Sequence, residues 1–154
     1  MKRASGILMH VSSLWGEYGC GSLGQAAFDW IDFLSSCGFS YWQVLPFCLP
    51  DAYFSPYSSY SAFSLNPFFI DLELLKAEGL LTDEELALAK QKTPYLCEFD
   101  RFEERFALLK KASEREDKSK VLAFAKENEY TAHFCTFMAK KSGKCKQAVA
   151  GMDH

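Results

Sequence analysis

The stretch Tyr53-Phe54-Ser55-Pro56-Tyr57-Ser58-Ser59-Tyr60-Ser61-Ala62-Phe63 carries the most chemical information in this sequence. It mixes flat aromatic faces with hydroxyls. A polyhydroxylated ring requires that combination, because one face of a sugar is apolar while its rim donates and accepts hydrogen bonds. Pro56 stiffens the backbone ahead of Tyr57. Cleaving a glycosidic bond would further need two carboxylates, about 5 Å apart in retaining enzymes. Asp71 with Glu73, expected on one strand face, and Asp29 with Asp32, a helical turn apart, are the close pairs considered. Both read more simply as a solvated face or an element end. Neither a Ser/His/Asp triad nor a P-loop is present. Gly19-Cys20-Gly21-Ser22-Leu23-Gly24 does spell G-x-G-x-x-G between an expected strand and an expected helix, the context of a dinucleotide fingerprint. The strand, however, ends near Val11, well before the first glycine, and no acidic residue closes the next strand to hold a ribose hydroxyl. A flexible turn and a helix start is the simpler reading.

These residues need elements to position them. Gly6 to Val11 is a short apolar run, expected as a buried strand. After the glycine-rich loop, Ser22 with Gln25 forms a capping-box signature for a helix whose inner face is Ala27, Trp30, Ile31 and Leu34. Gly38 stands where a helix-terminating glycine belongs. Tyr41 to Pro46 is a second apolar strand. Strand, loop, helix, turn and strand make a βαβ unit, and continuous apolar strands imply a parallel sheet buried on both faces. The aromatic loop follows the C-terminal end of that second strand, and long loops inside compact domains are usually functional. Phe68 to Leu72 is a candidate third strand. Beyond it, Thr82-Asp83-Glu84-Glu85 is a second capping box, Pro94 limits its helix, and Phe99, Phe102, Phe106 and Leu109 recur at helical spacing. Val121 to Lys141 is helical with an interruption near Asn128. Ser142 to His154 is polar and unpatterned, expected to fray.

Composition narrows the function. The 154 residues are 49% hydrophobic and 24% charged, with net charge −3, so the chain is globular and nucleic acid is not an expected partner. No segment offers the roughly 18 apolar residues of a membrane helix, and Gly6 to Met9 is too short for a signal peptide; a cytoplasmic location is expected. The six cysteines are scattered without zinc spacing and read as small buried hydrophobes, and the three histidines are too few and too far apart for a metal site.

Four blocks resemble the 4-α-glucanotransferase (amylomaltase, or disproportionating enzyme) family: Gly6 to Leu14, Tyr18 to Gly24, Tyr41 to Pro46, and Ser55 to Leu72. Their order and spacing fit, and they cover roughly residues 3 to 80; Phe134 to Lys140 is weakly similar to a later family helix. The resemblance implies the N-terminal part of a (β/α)₈ TIM barrel, incomplete in this chain, followed by a helical insertion. Its segments would be 1–80 with the substrate loop, 81–141 helical, and an aberrant tail over 142–154. It implies retaining transfer of an α-1,4-glucan segment to the 4-hydroxyl of glucose or of another maltooligosaccharide, without a cofactor. The nucleophile and acid/base carboxylates would come from later strands, leaving no catalytic residue here and making the rest of the barrel a partner. Tyr57 matches the family tyrosine that packs on the sugar beside the cleaved bond, and Ser55 a cleft serine. Tyr53 stands near a tyrosine of a secondary glucan site, and Trp42 and Asn66, from the matching blocks, complete the expected substrate-binding set. Trp15 in place of proline, and Ser64-Leu65 in place of Ala-Gly, depart from the family pattern and bear on acceptor preference. The alternative is a free-standing, non-catalytic maltooligosaccharide-binding or interaction module.

Overall fold

The computed structural model describes residues 3–51 and 53–142. Its first unit is the expected parallel βαβ: β1 (Gly6–Leu8), α1 (Gln25–Ser36) and β2 (Tyr41–Gln43). Gly6 pairs with Tyr41, Ile7 with Trp42 and Leu8 with Gln43. Both strands are shorter than the apolar runs that predict them. After Leu8 the chain leaves the ladder, and Val11–Ser13 form a 3₁₀ turn whose Ser13 N–H returns to the His10 carbonyl at 2.9 Å. The strands are not buried on both faces: Leu8 is 58% exposed, and Gly6, Tyr41 and Gln43 also face solvent. A two-stranded sheet has no further layer to cover it, and among the described residues these are the only named strands.

α1 starts differently from expectation. Its N-cap is Gly24, without a side-chain cap, while Ser22 Oγ turns away to donate to Asp71 Oδ2 at 2.5 Å and Gln25 Nε2 donates to Asp29 Oδ1 at 2.8 Å. The Ser22/Gln25 capping box therefore does not form; a distant carboxylate outcompetes the local backbone for the serine. Ala27 and Leu34 are buried as expected and Trp30 is half-buried, but Ile31 is exposed. At the other end Gly38, at φ +79°, donates to the Ser35 carbonyl and closes the helix.

The candidate third strand is not one. Pro67–Phe69 form a 3₁₀ turn capped by Asn66 Oδ1, which accepts from Phe68 N–H at 3.1 Å, and Asp71 is the N-cap of α2 (Leu72–Ala77) through its Oδ1 and Leu74 N–H. Asp71 and Glu73 thus never share a strand face. α3 (Asp83–Ala89) starts at the expected capping box, with Thr82 Oγ1 accepting from Glu85 N–H and Glu85 Oε2 from Thr82 N–H. α4 (Phe102–Arg115), α5 (Lys118–Glu127) and α6 (Thr131–Ser142) follow, the break near Asn128 as the sequence indicates. Apart from Ser142, the tail 142–154 lies outside the described residues. No described helix is long and apolar enough to cross a membrane.

Two apolar clusters hold these elements. One joins Val11, Leu14, Ala27 and Phe69 beneath the βαβ unit, with Trp42 and Val44 against it. The other joins Leu72, Leu81, Leu86, Ala89, Leu108 and Ala112 from α2, α4 and the region of α3. Val11 and Leu72 are fully enclosed, each burial contributing on the order of 2 kcal/mol. Between the clusters lies Arg105 of α4, only 2% exposed, whose Nη1 donates to the Tyr18 carbonyl at 2.6 Å and Nη2 to the Ile70 carbonyl at 2.8 Å. Truncation strands two carbonyls at about 1–3 kcal/mol each. Arg105→Ala is accordingly expected to cost about 3 kcal/mol in urea unfolding, against about 1 kcal/mol for Thr82→Ala, which removes only a helix cap.

Candidate functional site

The glycine-rich loop is occupied by the protein itself. A Cβ at Gly21 would lie 2.2 Å from the Val11 carbonyl oxygen, and one at Gly24 would lie 2.1 Å from Asp71 Oδ2. The backbone approach that glycine allows here is therefore to other parts of the chain, not to a pyrophosphate. Gln91 fastens the loop from the far side: its Oε1 accepts from Gly19 N–H at 3.0 Å, and its Nε2 donates to the Gly16 and Thr93 carbonyls, each at 2.6 Å. The loop is tethered rather than flexible.

With this loop fixed, a cleft of about 240 Å³ opens beyond the C-terminal ends of the paired strands. His10, Ser12 and Ser13 enter it after β1, Leu45 and Pro46 after β2, and Phe54, Pro56 and Asn66 from the aromatic loop. Cys20 and Phe102 also line it. The His10 ring packs edge-on against Phe69, with centroids 5.2 Å apart, and its buried Nδ1 has no hydrogen-bond partner. Burial lowers its pKa from the usual 6.5, so the ring is neutral at pH 7. The sequence reading gave His10, Ser12 and Ser13 no role in the site; their position just past a parallel strand, at the end where α/β proteins place ligands, was the available signal.

The aromatic loop is built as a shaped projection. Asp51 Oδ1 accepts from Tyr53 N–H at 2.9 Å and its Oδ2 from Ser58 Oγ at 2.6 Å, bonds that hold the carboxyl below the ordinary carboxylate pKa and close the turn. Phe54 takes a left-handed backbone at φ +56°. Its ring meets Phe102 of α4 edge-on at 5.4 Å, and Phe102 in turn stacks on Phe68 at 4.3 Å. Strain at a non-glycine residue is tolerated where the surroundings hold it. Behind the loop, α6 contributes Phe137 near Tyr60 and Lys141 Nζ 3.1 Å from the Tyr60 ring centre, and Tyr130, just ahead of α6, lies near Phe63.

The expected substrate-binding residues fall into two groups. Tyr57 is 76% exposed and Tyr53 88%, both on the outer side of the loop, with Ser55 half-buried between them. Asn66 is buried at the cleft wall, its Oδ1 spent as a cap and its N–H donating to the Phe47 carbonyl at 2.7 Å. Trp42 lies in β2, packs against the first apolar cluster, and donates its indole N–H to the Met9 carbonyl at 2.7 Å. The structure therefore brings Ser55 and both tyrosines together on one loop, sets Asn66 at its root, and gives Trp42 to the core. The close carboxylate pairs are engaged elsewhere. Asp71 holds Ser22 and caps α2, Glu73 accepts from the Tyr18 hydroxyl and pairs with Lys76 at 2.7 Å, and Asp29 and Asp32 are exposed on α1. The cysteines are only partly the buried hydrophobes expected: Cys20 is buried, Cys48 and Cys97 are half-buried, and Cys37 and Cys135 are exposed. Packing leaves those surface positions uncovered. Among the described residues no group of three or more His, Cys, Asp or Glu could hold a metal ion.

Residues 9–152 match the family model described as 4-alpha-glucanotransferase. A 4-alpha-glucanotransferase of Streptococcus pneumoniae is 52% identical over 85 residues, 55% of this chain and 17% of that protein. Those of Clostridium butyricum and Thermus thermophilus are each 35% identical, over 86% and 92% of this chain and 28% and 29% of their own lengths. An amylomaltase from Streptococcus agalactiae, solved in complex with acarbose, superposes with a TM-score of 0.86 at 32% identity, covering 99% of this chain and 32% of that one. The chain thus spans less than a third of the length of each of these relatives.

The neutral state of His10 has a measurable consequence. As pH falls, the unfolded chain takes up the imidazole proton first, so the stability contributed by the buried neutral ring is present above pH 6.5 and is lost as pH drops through that value toward the lower folded pKa. Urea midpoints measured from pH 8 to pH 5.5 are expected to fall more steeply for the wild-type chain than for His10→Gln. Equal slopes would mean that His10 titrates as it does in solvent.

Proposed function

This chain belongs to the 4-alpha-glucanotransferase family, and we propose that it forms the N-terminal portion of such an enzyme's glucan cleft. The reaction is the retaining transfer of an α-1,4-glucan segment to the 4-hydroxyl of glucose or of another maltooligosaccharide. In this reading the paired strands are the opening strands of a (β/α)₈ barrel, residues 1–80 carry the substrate loop, and residues 81–141 are a helical insertion that braces it. The bracing of Phe54 by Phe102, and the contact of α6 with Tyr60, support that role for the insertion.

The observation that carries the reading is the pair of solvent-facing rings, Tyr53 and Tyr57, held beside Ser55 at the C-terminal end of a parallel strand pair, in a chain that superposes on an acarbose-bound amylomaltase. Tyr57 offers its face to the apolar side of a glucose ring, Ser55 a hydroxyl to its rim, and Tyr53 a second platform for a longer glucan. Asn66 fixes the root of the loop, and Trp42 supports the strand from which the loop departs. Retaining transfer needs a carboxylate nucleophile that forms a covalent glycosyl-enzyme and a second carboxyl that serves as acid and then as base. The close Asp and Glu pairs described here are committed to caps, ion pairs and solvent, so those roles belong to carboxylates outside this set. The chain alone binds glucan without turning it over. The free thiols suit a reducing, cytoplasmic compartment.

Calorimetric titration with acarbose or maltotriose tests this. Tyr57→Ala is expected to weaken binding at least about tenfold, or ~1.4 kcal/mol, by removing the stacking face, while Tyr57→Phe retains most of it. The purified chain is expected to release no glucose from maltotriose. Disproportionation by the chain alone would show that it carries its own carboxylate pair, and unchanged binding by Tyr57→Ala would remove the loop from the site.

A further inference from the structure

Two thiols meet at a point that the glucan reading leaves unused. Cys20 is buried in the glycine-rich loop, and Cys97 is half-buried in the segment leading to α4. The Glu98 N–H donates to the Gly19 carbonyl at 2.7 Å, so the two backbones run side by side there. Cys20 and Cys97 flank that bond, one on each segment and within interacting range of each other, and the Cys20 thiol also donates to the Phe68 carbonyl at 3.9 Å. Gln91 holds both segments in register, its side chain bonded to Gly16 and Gly19 on one and to Thr93 and Leu96 on the other. The pair is reachable from two sides. Cys20 lines the cleft of about 240 Å³, and Cys97 lines a second cavity of about 300 Å³ with Ser12, Leu14 and Tyr95.

We propose that Cys20 and Cys97 form a reversible oxidation site that closes to a disulfide on contact with a small peroxide and fastens the glycine-rich loop to the segment ahead of α4. The neighbouring Cys97 thiol and the nearby Arg105 guanidinium favour the thiolate form of Cys20, which makes it the attacking sulfur. Cys20 sulfur attacks one peroxide oxygen. An S–O bond forms, the O–O bond breaks, and the departing hydroxide takes a proton to become water. Cys97 sulfur then attacks the resulting sulfenic acid. The S–S bond forms, the S–O bond breaks, and hydroxide leaves with the Cys97 proton as a second water. Two thiols are oxidised and one peroxide is reduced. A bond of this kind in a reducing compartment is transient and serves as a sensor. The inference stands on the placement of the two cysteines across the Gly19–Glu98 seam and does not depend on the glucan reading.

The test uses the reduced 154-residue chain with stoichiometric hydrogen peroxide, followed by alkylation and peptide mapping. The expected result is one intramolecular peptide pair joined through Cys20 and Cys97, reversed by dithiothreitol, with a thermal midpoint raised by at least about 5 °C. Cys97→Ser is expected to abolish the linked pair and the shift, and to leave Cys20 as a sulfenic acid that dimedone traps. The backbone bonds that shape the loop do not involve the Cys97 side chain, so this variant keeps the seam. Oxidation confined to the exposed Cys37 or Cys135, with Cys20 and Cys97 still alkylated, overturns the proposal. The same linkage pattern in urea as in buffer also overturns it, because pairing would then owe nothing to the fold.

Discussion

A buried charged side chain, with no carboxylate within salt-bridge distance among the described residues, ties the glycine-rich loop and the turn ahead of α2 to α4. Arg105 projects from α4 into the space between the clusters and spends its guanidinium on two backbone carbonyls, Tyr18 in the glycine-rich loop and Ile70 just ahead of α2. Burial lowers its pKa, and Cys20 and Asp71 lie near enough to offset part of that cost. An arginine suits this place because its planar fork can reach two acceptors in fixed directions while remaining charged. The carbonyls belong to loops rather than to the ladder or the helices, so without the guanidinium both would be part-buried acceptors short of a donor. Gln91 repeats the device a few ångströms along the same loop.

The shape of the cleft follows from these ties. Once the glycine-rich loop is held, Val11 and Leu14 seat against Ala27 and Phe69, and the strand ends point into one cleft. Phe102, one helical turn before Arg105, stacks on Phe68 and meets Phe54, so the helix that clamps the loop also seats the aromatic projection. Phe54 packs on Phe102 and Tyr60 on Phe137, whereas Tyr53 and Tyr57 face solvent.

Much of this was legible beforehand where a local rule decides the outcome. Thr82 with Glu85, and Gly38 after Cys37, behave as caps because each partner lies within one turn and nothing remote competes. Ser22 with Gln25 has the same signature and fails, since Asp71 arrives through the fold to claim the serine hydroxyl. Phe68 to Leu72 has strand composition yet forms a turn and a helix start, because Asn66 and Asp71 cap successive short elements there. Trp42 illustrates the limit for the site: its spacing places it on a strand, but only packing reveals that its indole nitrogen is taken by Met9. His10 was overlooked because a lone histidine carries no pattern until the strand ends converge.

The sequence alone determined the parallel βαβ order, the helical second half, the aromatic loop and its resemblance to the 4-alpha-glucanotransferases. Those features depend on periodicity, caps and contiguous motifs, which are interactions between near neighbours. Folding brings the glycines into chain-to-chain approach, sets Arg105 and Gln91 as clamps on their loop, places Cys20 across a seam from Cys97, and selects which tyrosines face solvent. Most of these contacts join residues dozens of positions apart. Their energies come from desolvation and from two groups arriving together, and neither quantity exists in a linear sequence until the chain has folded.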